Sequence, residues 1–193
     1  MEEEFKNAIL EGDLNKVREC LKNGVDPNKE YLFESEIFFR GSSISKLLLY
    51  PIHVASFMGY LGIVEFLMSN NLNDPSIWSD TSLIFASQEG HRDVVKMLLT
   101  DSRVDPSRTN NRAIIDASIR GNFEVVQTLM QDSRVNPSSN NNMAIRYASK
   151  EGHKEVVKLL FKDKRVRNNL RKEDIKGLIE IEYKLYNLNK FNT

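Results

Sequence analysis

One cysteine, Cys20, stands among the 193 residues. It cannot close an internal disulfide, and it cannot supply a multi-thiolate metal site. Long apolar runs are absent: none approaches the roughly 18–20 residues that span a bilayer. The first residues, Met1-Glu2-Glu3-Glu4-Phe5, are acidic where a signal peptide would be basic and then apolar. A surplus of either charge is also missing. Lys and Arg number 27, as do Asp and Glu, so no global field draws the chain to nucleic acid or an anionic membrane. The glycines form no phosphate-binding loop, and no nucleophile elbow is present. These absences lead us to expect a soluble cytoplasmic protein of a reducing compartment, with no membrane association, cofactor or metal.

What is present is regular. Gly59, Gly90, Gly121 and Gly152 are spaced 31 residues apart, and Gly12 precedes Gly59 by 47. An alanine stands four residues before each: Ala8, Ala55, Ala86, Ala117 and Ala148. After Gly90, Gly121 and Gly152 comes Val-Val at 94–95, 125–126 and 156–157, then an apolar pair at 98–99, 129–130 and 159–160. Pro27, Pro75, Pro106 and Pro137 close the first four copies, and Asn168 replaces proline in the fifth. Each feature has a physical reason. The small alanine lets a helix approach its neighbour. Glycine suits the left-handed turn that ends one helix before the next begins. The valine and leucine positions make the apolar stripe of a second helix. Proline then turns the chain into an extended segment. No such unit can bury its own apolar face, so neighbours must stack.

Pro51-Ile52-His53-Val54-Ala55, Gly90-His91 and Gly152-His153, with the Val-Val and Leu-Leu steps, resemble the ankyrin repeat, whose pattern is Thr-Pro-Leu-His-x-Ala, Gly-His, Val-Val and Leu-Leu over about 33 residues. The period of 31 departs from that pattern and implies a shortened hairpin. The resemblance implies an all-α solenoid of stacked helix-turn-helix units with short hairpin loops. The boundaries read as an N-terminal capping repeat at about 2–28, an insertion at about 29–48, and repeats at about 49–75, 76–106, 107–137 and 138–168. A C-terminal capping helix is expected at about 174–188, where Ile175, Leu178, Ile179, Ile181, Leu185 and Leu188 have helical spacing. The recurring Asp-Ser-Arg-Val-Asp/Asn-Pro-Ser at 101–107 and 132–138 is similar to a short-repeat subclass of giant DNA viruses and amoeboid organisms.

The insertion carries Tyr31, Phe33, Phe38 and Phe39. It suits either an enlarged hairpin packed on the first two repeats or a loop that contacts a partner.

Candidate chemistry is scarce. His53 holds the family's turn-bonding position. His91 and His153 follow the interhelix glycine, where they are expected to bond nearby backbone. The three lie in different repeats and form no short-spaced ligand set. Cys20 occupies a leucine position of the stripe and reads as a small core residue. Asn110 and Asn141 stand where the family has glycine, in a turn of positive φ that asparagine tolerates. No acid, base or nucleophile is paired at a useful spacing, so no catalytic, cofactor-binding or metal residue is proposed and the chain reads as a non-enzyme. An alternative is a nucleic-acid-binding protein using the basic stretch Lys162, Lys164, Arg165, Arg167, Arg171 and Lys172, although stacking aromatics are missing from it.

The resemblance implies protein–protein interaction, through hairpin tips and the exposed inner face of the first helices. Counted from each alanine, those positions are Phe57 and Met58; Ile77, Trp78, Asp80, Gln88 and Glu89; Arg108, Thr109, Asn111, Ile119 and Arg120; and Ser139, Asn140, Asn142, Lys150 and Glu151. Phe57, Met58, Ile77 and Trp78 make an apolar group; Trp78, among arginines and polar residues, suits either an interface hot spot or a ring folded back onto its own hairpin. The expected partner is a protein, a host protein if the viral likeness holds, bound by a monomer.

Overall fold

The computed structural model describes residues 1–34, 46–69 and 74–171, apart from the side chains of Trp78 and Ser79. The expected C-terminal capping helix, most of the inserted loop with Phe38 and Phe39, and Lys172 lie outside the described residues.

Five helix pairs follow one another: α1 (Glu2–Glu11) with α2 (Leu14–Lys22), α3 (Pro51–Met58) with α4 (Leu61–Ser69), α5 (Ile77–Glu89) with α6 (Arg92–Leu99), α7 (Arg108–Arg120) with α8 (Phe123–Gln131), and α9 (Ser139–Lys150) with α10 (Lys154–Phe161). A short α11 (Lys164–Asn168) ends the described chain. The first helices of the pairs touch in succession and form one layer; the second helices form the other. The core lies between the layers. Val94, Val95 and Leu98 of α6, with their counterparts in α4, α8 and α10, are buried there, as is Cys20 of α2. Full burial of one such side chain contributes about 1.5–3 kcal/mol.

The turn between paired helices is the same each time. Gly12, Gly59, Gly90, Gly121 and Gly152 have φ between 76° and 85°. The N–H of the following residue donates to the carbonyl of the repeat alanine, at 2.9 Å for Ala8, Ala55, Ala86 and Ala117 and 2.8 Å for Ala148. This closes the helix end and explains why Gly and Ala recur four residues apart.

The shortened hairpin takes a definite form. Asp105 Oδ1 accepts from Ser107 N at 3.0 Å and from Ser107 Oγ at 2.7 Å, and Asp74 and Asn136 do the same for Ser76 and Ser138. The Asp/Asn-Pro-Ser sequence is thus an Asx turn. It runs directly into a left-handed turn: Thr109, Asn110 and Asn111 have φ of 51°, 58° and 60°, and Asn140, Asn141 and Asn142 have 52°, 56° and 58°. Positive φ was expected at Asn110 and Asn141; the structure extends it to the residue on either side.

The insertion is where the chain departs from all-α. Strands β1 (Tyr31–Glu34) and β2 (Lys46–Leu49) pair antiparallel, Tyr31 facing Leu49 and Leu32 facing Leu48. Tyr31, Phe33 and Leu49 turn inward, and the Tyr31 ring lies 5.4 Å from that of Phe5 on α1. Leu32 and Leu48 face outward and are exposed. Period-two alternation produces this split, and the described part of the insertion covers the core of the first repeat.

Candidate functional site

Among the described residues, the second layer covers the first-helix layer on one side only. On the open side a stripe of partly or fully exposed residues recurs at helical spacing: Thr81, Phe85, Gln88 and Glu89 on α5; Arg112, Ile119 and Arg120 on α7; Met143, Tyr147 and Lys150 on α9, with Glu151 beside it. On α3, Phe57 and Met58 are half-buried. Phe57 packs edge-on against Phe85 at 5.6 Å, and Phe85 meets the His53 ring at 6.4 Å. Toward α7 and α9 the stripe becomes polar. Arg112 Nε donates to Asp116 Oδ2 at 2.8 Å, and Lys150 Nζ lies 5.9 Å from the Tyr147 ring centre.

The structure therefore brings Phe57, Met58, Gln88, Glu89, Ile119, Arg120, Lys150 and Glu151 onto one surface. Beside it, Ile77 is half-buried, and Arg108, Thr109 and Asn140 are exposed at the turns. Trp78 falls in the first turn of α5. Counting from the alanine missed Phe85, Arg112, Met143 and Tyr147. The signal was present, since they stand one or more helical turns before the positions chosen.

Asp80, Asn111 and Asn142 require correction. They were expected at exposed tips; they are 2%, 5% and 0% exposed. Their side chains reach across the unit to the segment that leads out of its second helix. Asp105 N donates to Asp80 Oδ1 at 3.3 Å, Asn136 N donates to Asn111 Oδ1 at 2.6 Å, and Asn142 Nδ2 donates to the Val166 carbonyl at 3.0 Å. The left-handed backbone at each of these residues turns its side chain inward, so the three tie each turn to the segment that follows the unit's second helix and are not surface contacts.

Two further series stitch one unit to the preceding one. The residue after each of Gly59, Gly90, Gly121 and Gly152 reaches back to the end of the preceding first helix. Tyr60 Oη donates to Leu10 O at 3.0 Å, His91 Nε2 to Phe57 O at 2.8 Å, Asn122 Nδ2 to Gln88 O at 2.8 Å, and His153 Nε2 to Ile119 O at 2.9 Å. His91 and His153 thus bond backbone near in space but 34 residues away in sequence. The second series is the Asp-x-Arg of the repeated motif. Arg103, Arg134 and Arg165 pair with Asp101, Asp132 and Asp163 at 2.6, 2.6 and 2.8 Å. Arg134 Nη1 also donates to Val104 O at 2.7 Å, and Arg165 Nη1 to Val135 O at 2.9 Å. The arginine neighbour holds each of these carboxyls below the usual range.

Electrostatics separate two groups from the rest. Burial pushes the His53 imidazole down to about 4, against an opposing hydrogen bond to the Ile77 backbone. Burial pushes the Asp80 carboxyl up to about 6, opposed by the Asp105 N–H and by Arg108. Burial also raises the Cys20 thiol, an unreactive state. In the basic stretch, Arg165 is held by Asp163 and Val135, and Arg167 donates to the carbonyls of Phe161 and Lys162. Among the described residues no group of three or more His, Cys, Asp or Glu could hold a metal ion, and no helix is long and apolar enough to cross a membrane.

Stacked two-helix units, stitched by side chains and open along one face, define a repeat scaffold. Comparison with known families gives it a name. Ankyrin repeats in three copies match residues 5–110, and ankyrin repeats in many copies match residues 113–161. The chain belongs to the ankyrin-repeat family, whose members generally serve protein–protein interaction and are typically non-catalytic. No curated protein matches the sequence.

Proposed function

We propose that this protein is a non-catalytic adaptor that binds a protein partner along the open face of its first helices and the adjoining turns. The observation that carries the reading is the contrast within one register. At each 31-residue step the alanine, the glycine and the stitching residue serve the stack, whereas Gln88/Ile119/Lys150 and Glu89/Arg120/Glu151 vary freely in chemistry and stay partly or fully exposed. An aromatic end (Phe57, Phe85) beside a charged end (Arg112, Arg120, Lys150) matches the anchor-and-rim composition of protein interfaces. Such a face would bury roughly 800 Å² per partner. The likeness of its short repeats to those of giant DNA viruses and amoeboid organisms favours a host-cell protein as partner, met in the cytoplasm by a monomer.

The test is paired substitution. Partners captured from a lysate by the wild-type chain are measured again with Trp78→Ala and Arg120→Glu, and with Arg92→Glu and Glu65→Lys on the second helices. Trp78→Ala is expected to leave the melting curve nearly unchanged and to weaken binding by about 2 kcal/mol, roughly 30-fold. Binding that survives both open-face substitutions but fails with the second-helix pair refutes the reading. Affinity that collapses in proportion to added salt, as phosphate contacts do, would favour nucleic acid and the basic stretch instead.

A further inference from the structure

Positions 80, 111 and 142 are one register of the repeat, and they share the sign of φ and one main-chain hydrogen bond. The N–H groups of Asp80, Asn111 and Asn142 donate to the carbonyls of Ser76, Ser107 and Ser138 at 3.1, 3.0 and 3.0 Å. All three residues have positive φ and all three are buried. Their side chains differ. The Asn111 amide accepts from Asn136 N at 2.6 Å and also donates, to Ser139 Oγ at 3.2 Å and toward Ser107 O at 3.5 Å. Asn142 likewise donates, to Val166 O at 3.0 Å. Asp80, when ionised, can only accept. Its Oδ1 takes the Asp105 N–H at 3.3 Å, a longer bond than that at Asn111, and its Oδ2 is buried without a hydrogen bond, 3.4 Å from Arg108 Nη1. The third unit thus places an acceptor-only group where the fourth and fifth units place a donor.

We propose that Asp80 is a proton-operated latch: on taking a proton, its carboxyl gains the donor that Asn111 and Asn142 have in their units and sheds the buried charge that weakens the tie between the turn at Ile77–Asp80 and the backbone at Asp105. The groups that face it decide when this happens. Asp74 on its own loop and Asp105 on the next favour the proton; Arg108 on α7 opposes it, and Arg134 lies within electrostatic reach. On the α3 side, His53 meets the backbone at Ile77. Burial outweighs the arginines and pushes the Asp80 carboxyl up to about 6, so the latch works in mildly acidic solution. A raised carboxyl contributes stability that is complete below the unfolded value near 3.8 and is lost as pH rises through about 6. Protonation also releases Arg108, whose side chain is 45% exposed, to solvent. The inference does not depend on a partner.

Two measurements test it. Carbon-13 carboxyl NMR of the wild-type chain should show Asp80 titrating near pH 6; a midpoint at 4 or below overturns the proposal. Thermal melts of Asp80→Asn and wild type should differ by about 6 °C in favour of the variant at pH 7.5, and by only about 2 °C at pH 4.5. A difference that does not change with pH, or a variant less stable at both, also overturns it. Asparagine at the same register already folds in the next two units, so the variant is expected to be well folded.

Discussion

The junction between the second and third units and that between the fourth and fifth share one backbone frame and little chemistry. At the first, rings meet: Phe85 lies 6.4 Å from His53 and 5.6 Å from Phe57. At the second, polar groups meet: Asn111 bridges to Asn136 and Ser139, and Arg165 reaches the Val135 carbonyl. Alanine, the left-handed glycine and the Val-Val-x-x-Leu stripe are enough to set the frame. The remaining contacts are chosen junction by junction, and each choice shows in how that junction responds to mutation and pH.

The sharpest way to break the comparison is through glycine. A Cβ on Gly121 would lie 2.5 Å from His153 Nδ1, whereas one on Gly24 would meet nothing within 4 Å, although both residues have positive φ. Gly121→Ala is expected to cost about 3 kcal/mol, from left-handed strain, the clash and the strained His153 bond; Gly24→Ala should cost only the strain, about 1 kcal/mol. Urea unfolding of both variants measures this, and equal losses would show that the frame and not the stitching residue sets the requirement.

Acid distinguishes the two junctions next. His53 is pushed down to about 4 from an ordinary 6.5. A depressed imidazole binds fewer protons folded than unfolded, so its contribution is lost as pH falls from 6.5 toward 4, by about 3 kcal/mol. Asp80 changes stability by a similar amount in the opposite sense over nearly the same window, so the wild-type profile should be shallow. In Asp80→Asn the His53 loss should stand uncovered, as a steady fall in unfolding free energy from pH 6.5 to 4. A flat profile in that variant would place the imidazole in a wetter site than the structure gives it.

The smallest effect belongs to the arginine series. Arg134→Ala removes the pair with Asp132 and the bond to Val104 O. Because the side chain is more than a third exposed, a loss of about 1 kcal/mol is expected in denaturant titration. Arg134→Lys should recover little of it, since lysine cannot bind Asp132 side-on while reaching a carbonyl. Full recovery by lysine would reduce the series to simple charge pairing.

The architecture was largely legible because its determinants are periodic. Ala, Gly and the apolar pairs repeat at 31 and need no long-range knowledge to interpret. The stitching residues were harder, because periodicity gives position but not direction. Asn110 was correctly read as a positive-φ residue, yet nothing local says that Thr109 and Asn111 follow it into the left-handed region. Without that rotation, Asp80, Asn111 and Asn142 look like tips. The Asp-Ser-Arg motif is visible as a signature, and its third copy, Asp163-Lys164-Arg165, does not stand out because the middle residue differs. Its arginine bonds across units at Val104 and Val135, which spacing alone does not reveal. The aromatic insertion was legible only as two alternatives, since alternation over four residues is too short to choose between them.

In the back-reaching series the acceptor is always a main-chain carbonyl: Leu10, Phe57, Gln88 or Ile119. Three of those four residues stand on the open face with side chains of unrelated character. A substitution at Phe57, Gln88 or Ile119 changes what the surface offers but leaves the carbonyl in place for its rung. The cohesion of the array and the identity of its exposed residues are thereby uncoupled, so the face can drift under selection while the scaffold beneath it keeps the same bonds.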